Sequence, residues 1–281
     1  MLACCGGRLN TRIAMATASS SLRARPAAVS GLFYPDDPRE LEDSLQALLL
    51  GASVERPAPK ALIAPHAGYI YSGPTAAAAY RLLRNAADIR RVVLIGPSHR
   101  VPFQGLAVPA ADAFDTPLGR IPIDVTGRQA LLELAQVQLT DAPHAQEHSL
   151  EVQLPFLQAM LQDFELLPLA AGDATAAEVA EVLETVWGES ETLIVVSTDL
   201  SHYHGYAQGR LIDRATNDAI LSYSTEIDGD QACGCVGLNG ILACARQRHM
   251  RIQLEDLRSS GDTAGDRERV VGYGAWSLYD V

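Results

Sequence analysis

The sequence predicts an α/β fold in a single domain, with strands covered by helices on both faces. Three observations predict it. Short, nearly continuous apolar runs rich in β-branched residues recur along the chain, as strands buried on both faces do. Stretches of helical length separate them, so that strand and helix alternate. The 281 residues, 48% of them hydrophobic, suffice to bury one full core.

Residues 1–25 are rich in Arg, Ser and Ala and hold no acid. That composition fits a transit peptide, a disordered tail or an over-long start, and Met15 together with the missing apolar signal core favours the last two. Residues 1–25 are therefore expected to be a disordered extension, and residues 26–281 the domain. The first helix is expected from residue 37, where Asp36 and Asp37 complement a helix N-terminus. "ALIAP" at 61 reads as a strand, "PTAAAAYRLLRNA" from 74 as a helix and "RVVLIGP" at 91 as a second strand. The stretch 105–124 alternates and turns through proline and glycine, as a hairpin or other β-rich excursion would. A helix from 147, a strand in "FELLPLAAG" at 164, a helix from 174 and a strand in "TLIVVSTD" at 192 follow. "NGILACARQR" reads as a helix, and "RVVGYGAWSLY" at 269 as the last strand.

The formal charge of −12 argues against nucleic acid or an anionic membrane surface as a partner, since both would be repelled. No apolar stretch approaches the roughly 18–20 residues of a membrane helix. Outside the first 25 residues the cysteines are Cys233, Cys235 and Cys244. An odd, closely spaced set is no secreted disulfide framework, so a reducing, cytoplasmic setting is expected.

The chemistry gathers at strand ends. "LIAPHAG" and "LIGPSHR" each run strand, proline, histidine, and "VVSTDLSHYH" places Asp199 and His202 just past a third strand. Ligands of open α/β sheets bind beyond the carboxyl ends of parallel strands. If these three strands are neighbours, His66, His99, Asp199 and His202 share one rim. Two imidazoles with an anionic ligand hold Fe(II) or a related first-row metal, and a similar set holds Zn(II). Asp199 is the carboxylate candidate for the third position and Cys233, near a helix N-terminus that stabilises a thiolate, is the thiolate candidate.

In "QEHSLEVQLPF", Glu147, His148 and Glu151 crowd a helix start, where carboxylates also serve as caps. His148 is a candidate donor to the rim or proton shuttle, and Tyr71 a candidate phenol for orientation or acid/base work. Cys235 and Cys244 read as structural, and His144, His204 and His249 as surface residues.

Together "AVSGLFYP", "APHAGYIYSG", "GPSHR", "QEHSLEVQLPF", "STDLSH" and "ACG", in this order over some 250 residues, resemble the Memo family, whose bacterial members are called AmmeMemoRadiSam system protein B. The resemblance implies an α/β sandwich around a mixed, mostly parallel sheet, similar to class III extradiol dioxygenases. It implies a metal triad of His66, His99 and Cys233, with Asp199 and His202 lining the same pocket. It also implies a radical-SAM partner and an AMMECR1-like partner. This chain departs from the family's usual proline-containing turn after the cysteine, reading "CGCVGLNG".

Three functions compete. The first is an iron- or copper-dependent, dioxygenase-like oxidoreductase in which Asp199 and His202 serve as base and proton relay. The second is a non-catalytic adaptor that binds a peptide or small ligand through the retained pocket. The third is a hydrolase with zinc-bound water. No glycine-rich phosphate loop or dinucleotide fingerprint is present.

Overall fold

The computed structural model describes residues 23–51 and 56–280. In chain order the elements are β1 (Ala24–Arg25), α1 (Pro38–Leu49), β2 (Ala61–Ala64), α2 (Tyr69–Tyr80), β3 (Arg91–Pro97), β4 (Leu106–Val108), β5 (Ala113–Thr116), β6 (Gly119–Pro122), α3 (Val125–Leu131) and β7 (Val137–Leu139). They continue with α4 (Ala142–Ala145), α5 (His148–Glu151), α6 (Leu154–Met160), β8 (Glu165–Ala171), α7 (Ala176–Thr185), β9 (Thr192–Ser197), β10 (His202–His204), α8 (Tyr206–Leu221), α9 (Cys235–Gln247), β11 (Arg251–Ser259) and β12 (Val270–Tyr279). The extension expected over residues 1–25 lies outside the described residues up to residue 22. Its end does not, because Ala24 and Arg25 pair in parallel with β5.

A nine-stranded mixed sheet forms the frame, with β2, β9, β3 and β8 as neighbouring parallel strands at its centre. On the β8 side follow β4, antiparallel to β8, and β7. On the β2 side lies β12, antiparallel to β2, flanked by β11 and by the short β10. A separate sheet of β1, β5 and β6 contains the hairpin anticipated within 105–124.

Alternation along each central strand builds the core, because successive side chains point to opposite faces. Leu62, Val92, Leu94, Leu166, Leu193 and Val195 face one side, packed with α1, α2 and α6. Ile63, Val93, Ile95, Leu167, Ile194 and Val196 face the other, packed with α7 and α9. Both faces are covered, which is why the strands read as continuous apolar runs.

Three elements depart from the sequence expectation. Helix α2 begins at Tyr69, before Pro74, rather than at Pro74. The Tyr69 N–H donates to the Phe33 carbonyl, and Pro74 sits inside the helix, where it cannot donate to the Ile70 carbonyl. The helix expected from 147 is two short helices, α5 and α6. Helix α8 lacked an apolar signal because its buried stripe is Gly209, Asp213, Thr216 and Ile220, helical in spacing but mostly small or polar.

Candidate metal centre

Because β9 lies between β2 and β3, the chain segments leaving these strands emerge side by side. Ala64 pairs with Ser197 and Ile95 with Val196, so His66, Asp199 and His99 follow at nearly the same level. Two glycines let further segments approach this rim. A Cβ on Gly96 would stand 2.9 Å from the Ser149 hydroxyl, and one on Gly234 would stand 2.5 Å from the Ser197 carbonyl. The first close approach brings α5 and His148 to β3; the second brings Cys233 to the end of β9.

His66, His99 and His148 each offer a ring nitrogen, and these atoms lie within 4.8 Å of one another. His66 is buried, while His99 and His148 face the opening. The rings of His99 and His148 stack at 4.5 Å between centroids, and both stand edge-on to His66.

Hydrogen bonds fix which nitrogen of each ring is free. The Ser197 hydroxyl donates to the Ser149 carbonyl at 2.6 Å and accepts from Gln153 Nε2 at 2.8 Å. Its remaining lone pair faces His66 Nδ1 at 2.8 Å, so Nδ1 carries the proton and Nε2 presents a lone pair. Gln153 is itself oriented, donating to the Pro65 carbonyl and accepting from the Tyr80 hydroxyl. Glu147 does the same for the other two rings. Its Oε1 lies 2.9 Å from His99 Nδ1 and 3.2 Å from His148 Nδ1, and a carboxylate can only accept. Both Nε2 atoms are thereby left for a ligand, as in carboxylate–histidine–metal arrangements.

Charge follows from these contacts. Burial, with His148 and His99 nearby, pushes the His66 pKa well below its ordinary value, so the ring is neutral. Burial pushes the Glu147 carboxyl up, but hydrogen bonds from His148, His99 and the Ser149 N–H outweigh it and hold the group well below the usual carboxylate range. Burial raises Asp199, whose Oδ1 accepts the His66 backbone N–H at 2.7 Å. The Cys233 thiol is pushed up to about 12 by burial and by the Asp199 charge. Its Sγ lies 3.3 Å from His66 Nε2 and accepts the Asp199 N–H at 3.3 Å.

A cavity of about 570 Å³ opens over this group, with Asp199, His202, Cys233 and Phe33 also on its wall. Three imidazoles whose Nδ1 atoms are held by Ser197 and Glu147 form a donor set that fits zinc, copper or iron. His66, His99, Asp199 and His202 thus share one cavity wall, and His148 presents a ring nitrogen beside those of His66 and His99. Tyr71 lines an adjoining groove instead of this cavity. His144, expected at the surface, is buried: its ring donates from Nε2 to the Ala107 carbonyl at 3.0 Å. His204 lines the cavity, whereas His249 is exposed.

Ser197 and Gln153 escaped the sequence reading, although one ends an apolar strand with a hydroxyl and the other lies in "QEHSLEVQLPF". Glu151, from the same segment, has no part in the cavity. It forms a buried ion pair with Arg25 at 2.6 Å and accepts from the Ala28 and Val29 N–H groups and the Tyr34 hydroxyl. The segment carrying Phe33 is thereby fastened to the helix start carrying His148, and the two rings meet at 4.8 Å.

Among the described residues no helix is long and apolar enough to cross a membrane. Residues 25–277 match the model of the Memo family, described as Memo-like protein. A MEMO1 family protein of Aquifex aeolicus is 35% identical over 264 residues, covering 90% of this chain and 98% of that protein. One of Archaeoglobus fulgidus is 35% identical over 89% of this chain and 97% of its own length, and one of Methanosarcina mazei 32% identical over 90% and 98%. With the motifs in order, the strand-end histidines in place and relatives matched over nearly their whole length, the chain belongs to the Memo family.

Proposed function

We propose that the protein is a metal-dependent, dioxygenase-like oxidoreductase that holds Fe(II) at His66, His99 and a third donor and acts on a small phenolic or enolic molecule. The observation that carries this reading is the convergence of three imidazoles, each with Nδ1 engaged, on the wall of a cavity that also holds Asp199 and His202. His148 is the third donor that the geometry favours; Cys233 is the one that the family resemblance favours. Bound Fe(II) would supply one-electron and dioxygen chemistry. On this reading Asp199, raised by burial, would exchange a proton with a bound hydroxyl and His202 would pass it towards solvent. The three described cysteines are free thiols, which suits a reducing cytoplasm.

Oxygen uptake by protein loaded anaerobically with Fe(II) and then given catechol tests the reading. Uptake should depend on His66 and vanish in His66→Ala. Metal binding without His66-dependent uptake would reject the oxidoreductase. If the zinc-loaded protein instead hydrolyses a model ester, the all-imidazole donor set points to a hydrolase with metal-activated water.

A further inference from the structure

We propose that this cavity takes a small organic carboxylate with an apolar or aromatic arm: Arg100 meets the carboxylate beside His99, and Phe33 with the groove behind it receives the arm. The proposal deepens the reading above and rests on this cavity being the working site.

Arg100 follows His99 directly, lines the cavity and is exposed. Among the described residues it makes no hydrogen bond or ion pair, whereas Arg25, Arg56 and Arg258 are each held by a carboxylate. Five of the seven histidines line the cavity, and the acids on its wall are Asp199, tied to the His66 N–H, and Asp230. A second guanidinium, that of Arg269, lies 5.0 Å from the centroid of Tyr203, which is also on the wall. In a chain of charge −12, a guanidinium with no carboxylate partner among the described residues is a local attractor for a negative ligand. A single planar guanidinium fork matches one carboxylate in bidentate fashion.

The arm has a place as well. Phe33 lines both the cavity and an adjoining groove of about 620 Å³, so its ring borders the two. Leu32, Ile70 and Tyr71 flank that groove and are among the exposed large apolar side chains, Leu32 at 80% and Ile70 at 68%. Apolar exposure next to a polar cavity is the pattern of an amphipathic ligand site.

The test uses 3-phenylpropanoate and 3-phenylpropanol, which share the arm and differ in charge, titrated calorimetrically into metal-free and zinc-loaded protein. The acid should bind the metal-free protein roughly ten- to a hundredfold more tightly than the alcohol, the range of a charge-assisted hydrogen bond. Arg100→Ala should abolish that preference, Arg100→Lys should restore part of it, and Phe33→Ala should weaken both probes alike. Equal binding of the two probes, no binding of the acid, or a preference that survives Arg100→Ala would overturn the proposal. A preference seen only with zinc and retained in Arg100→Ala would make the carboxylate a metal ligand, rejecting the role of Arg100 while leaving the metal site standing. Failure of zinc to bind would reject the metal reading, and the metal-free titrations would still decide the role of Arg100.

Discussion

The sulfur of Cys233 stands 3.3 Å from His66 Nε2, the nitrogen that hydrogen bonding leaves free on that ring. Thiol and imidazole therefore meet where His99 and His148 also converge, and the identity of the third ligand becomes an experimental question. His66→Ala and His99→Ala should lose bound metal, and His148→Ala should lose more affinity than Cys233→Ser. Metal content after equilibrium dialysis decides it. The reverse order for the last two would return the third position to the thiolate.

Glu147 holds His99 and His148 with one carboxylate. Glu147→Gln keeps one oxygen for α5 and the two rings but removes the negative charge and turns the acceptor of the His99 backbone N–H into a donor. Metal affinity should fall roughly 10–100-fold, as for other groups that orient a ligand, while the thermal midpoint changes little. Unchanged affinity by competition with a chromogenic chelator would show that the rings are positioned without it.

Arg25 and Glu151 form a buried ion pair. Arg25→Ala strands the Glu151 charge and should cost roughly 3–5 kcal/mol in urea unfolding, whereas replacing both residues with apolar ones of similar size should cost less. If the double replacement proves the more damaging, the polar network around Glu151 matters beyond its charge balance.

Gly96 is where α5 rests on β3. A methyl group there meets Ser149 at 2.9 Å and Leu150 at 3.0 Å, so Gly96→Ala should destabilise the protein by about 1–3 kcal/mol through overpacking. Because His148 heads the displaced helix, metal affinity should fall in the same variant. Loss of stability with affinity intact would uncouple the packing from the site.

His144 gives the fold a pH dependence. Burial lowers its pKa from 6.5 to about 4, so the unfolded chain takes up a proton before the folded one does. Stability from this residue is complete above pH 6.5 and falls as the pH drops towards 4, by about 3 kcal/mol in all. His144→Gln should flatten the slope between these values relative to the parent protein, with His66 present in both. Identical slopes in urea unfolding across that range would reject the assignment.

Much of this organisation is local and so legible in the chain. Apolar runs of strand length, with Pro65 and Pro97 closing two of them, placed β2, β3, β8, β9 and β12 and put His66, His99 and Asp199 just past strand ends. Helix α8 and strand β11 were not legible. The buried stripe of the first is largely polar or small, and the second carries Arg251, Glu255, Asp256 and Arg258 at the edge of the sheet.

By itself, then, the sequence determined the fold class, the principal strands and the presence of imidazoles at their carboxyl ends, because hydrophobic period and turn chemistry act over a few residues. Only the tertiary structure decided that β9 lies between β2 and β3, that Gly96 lets His148 join His66 and His99, and that Ser197 and Glu147 leave Nε2 free on each ring. Those outcomes depend on strand order and on packing between residues far apart in the chain, which no local pattern encodes.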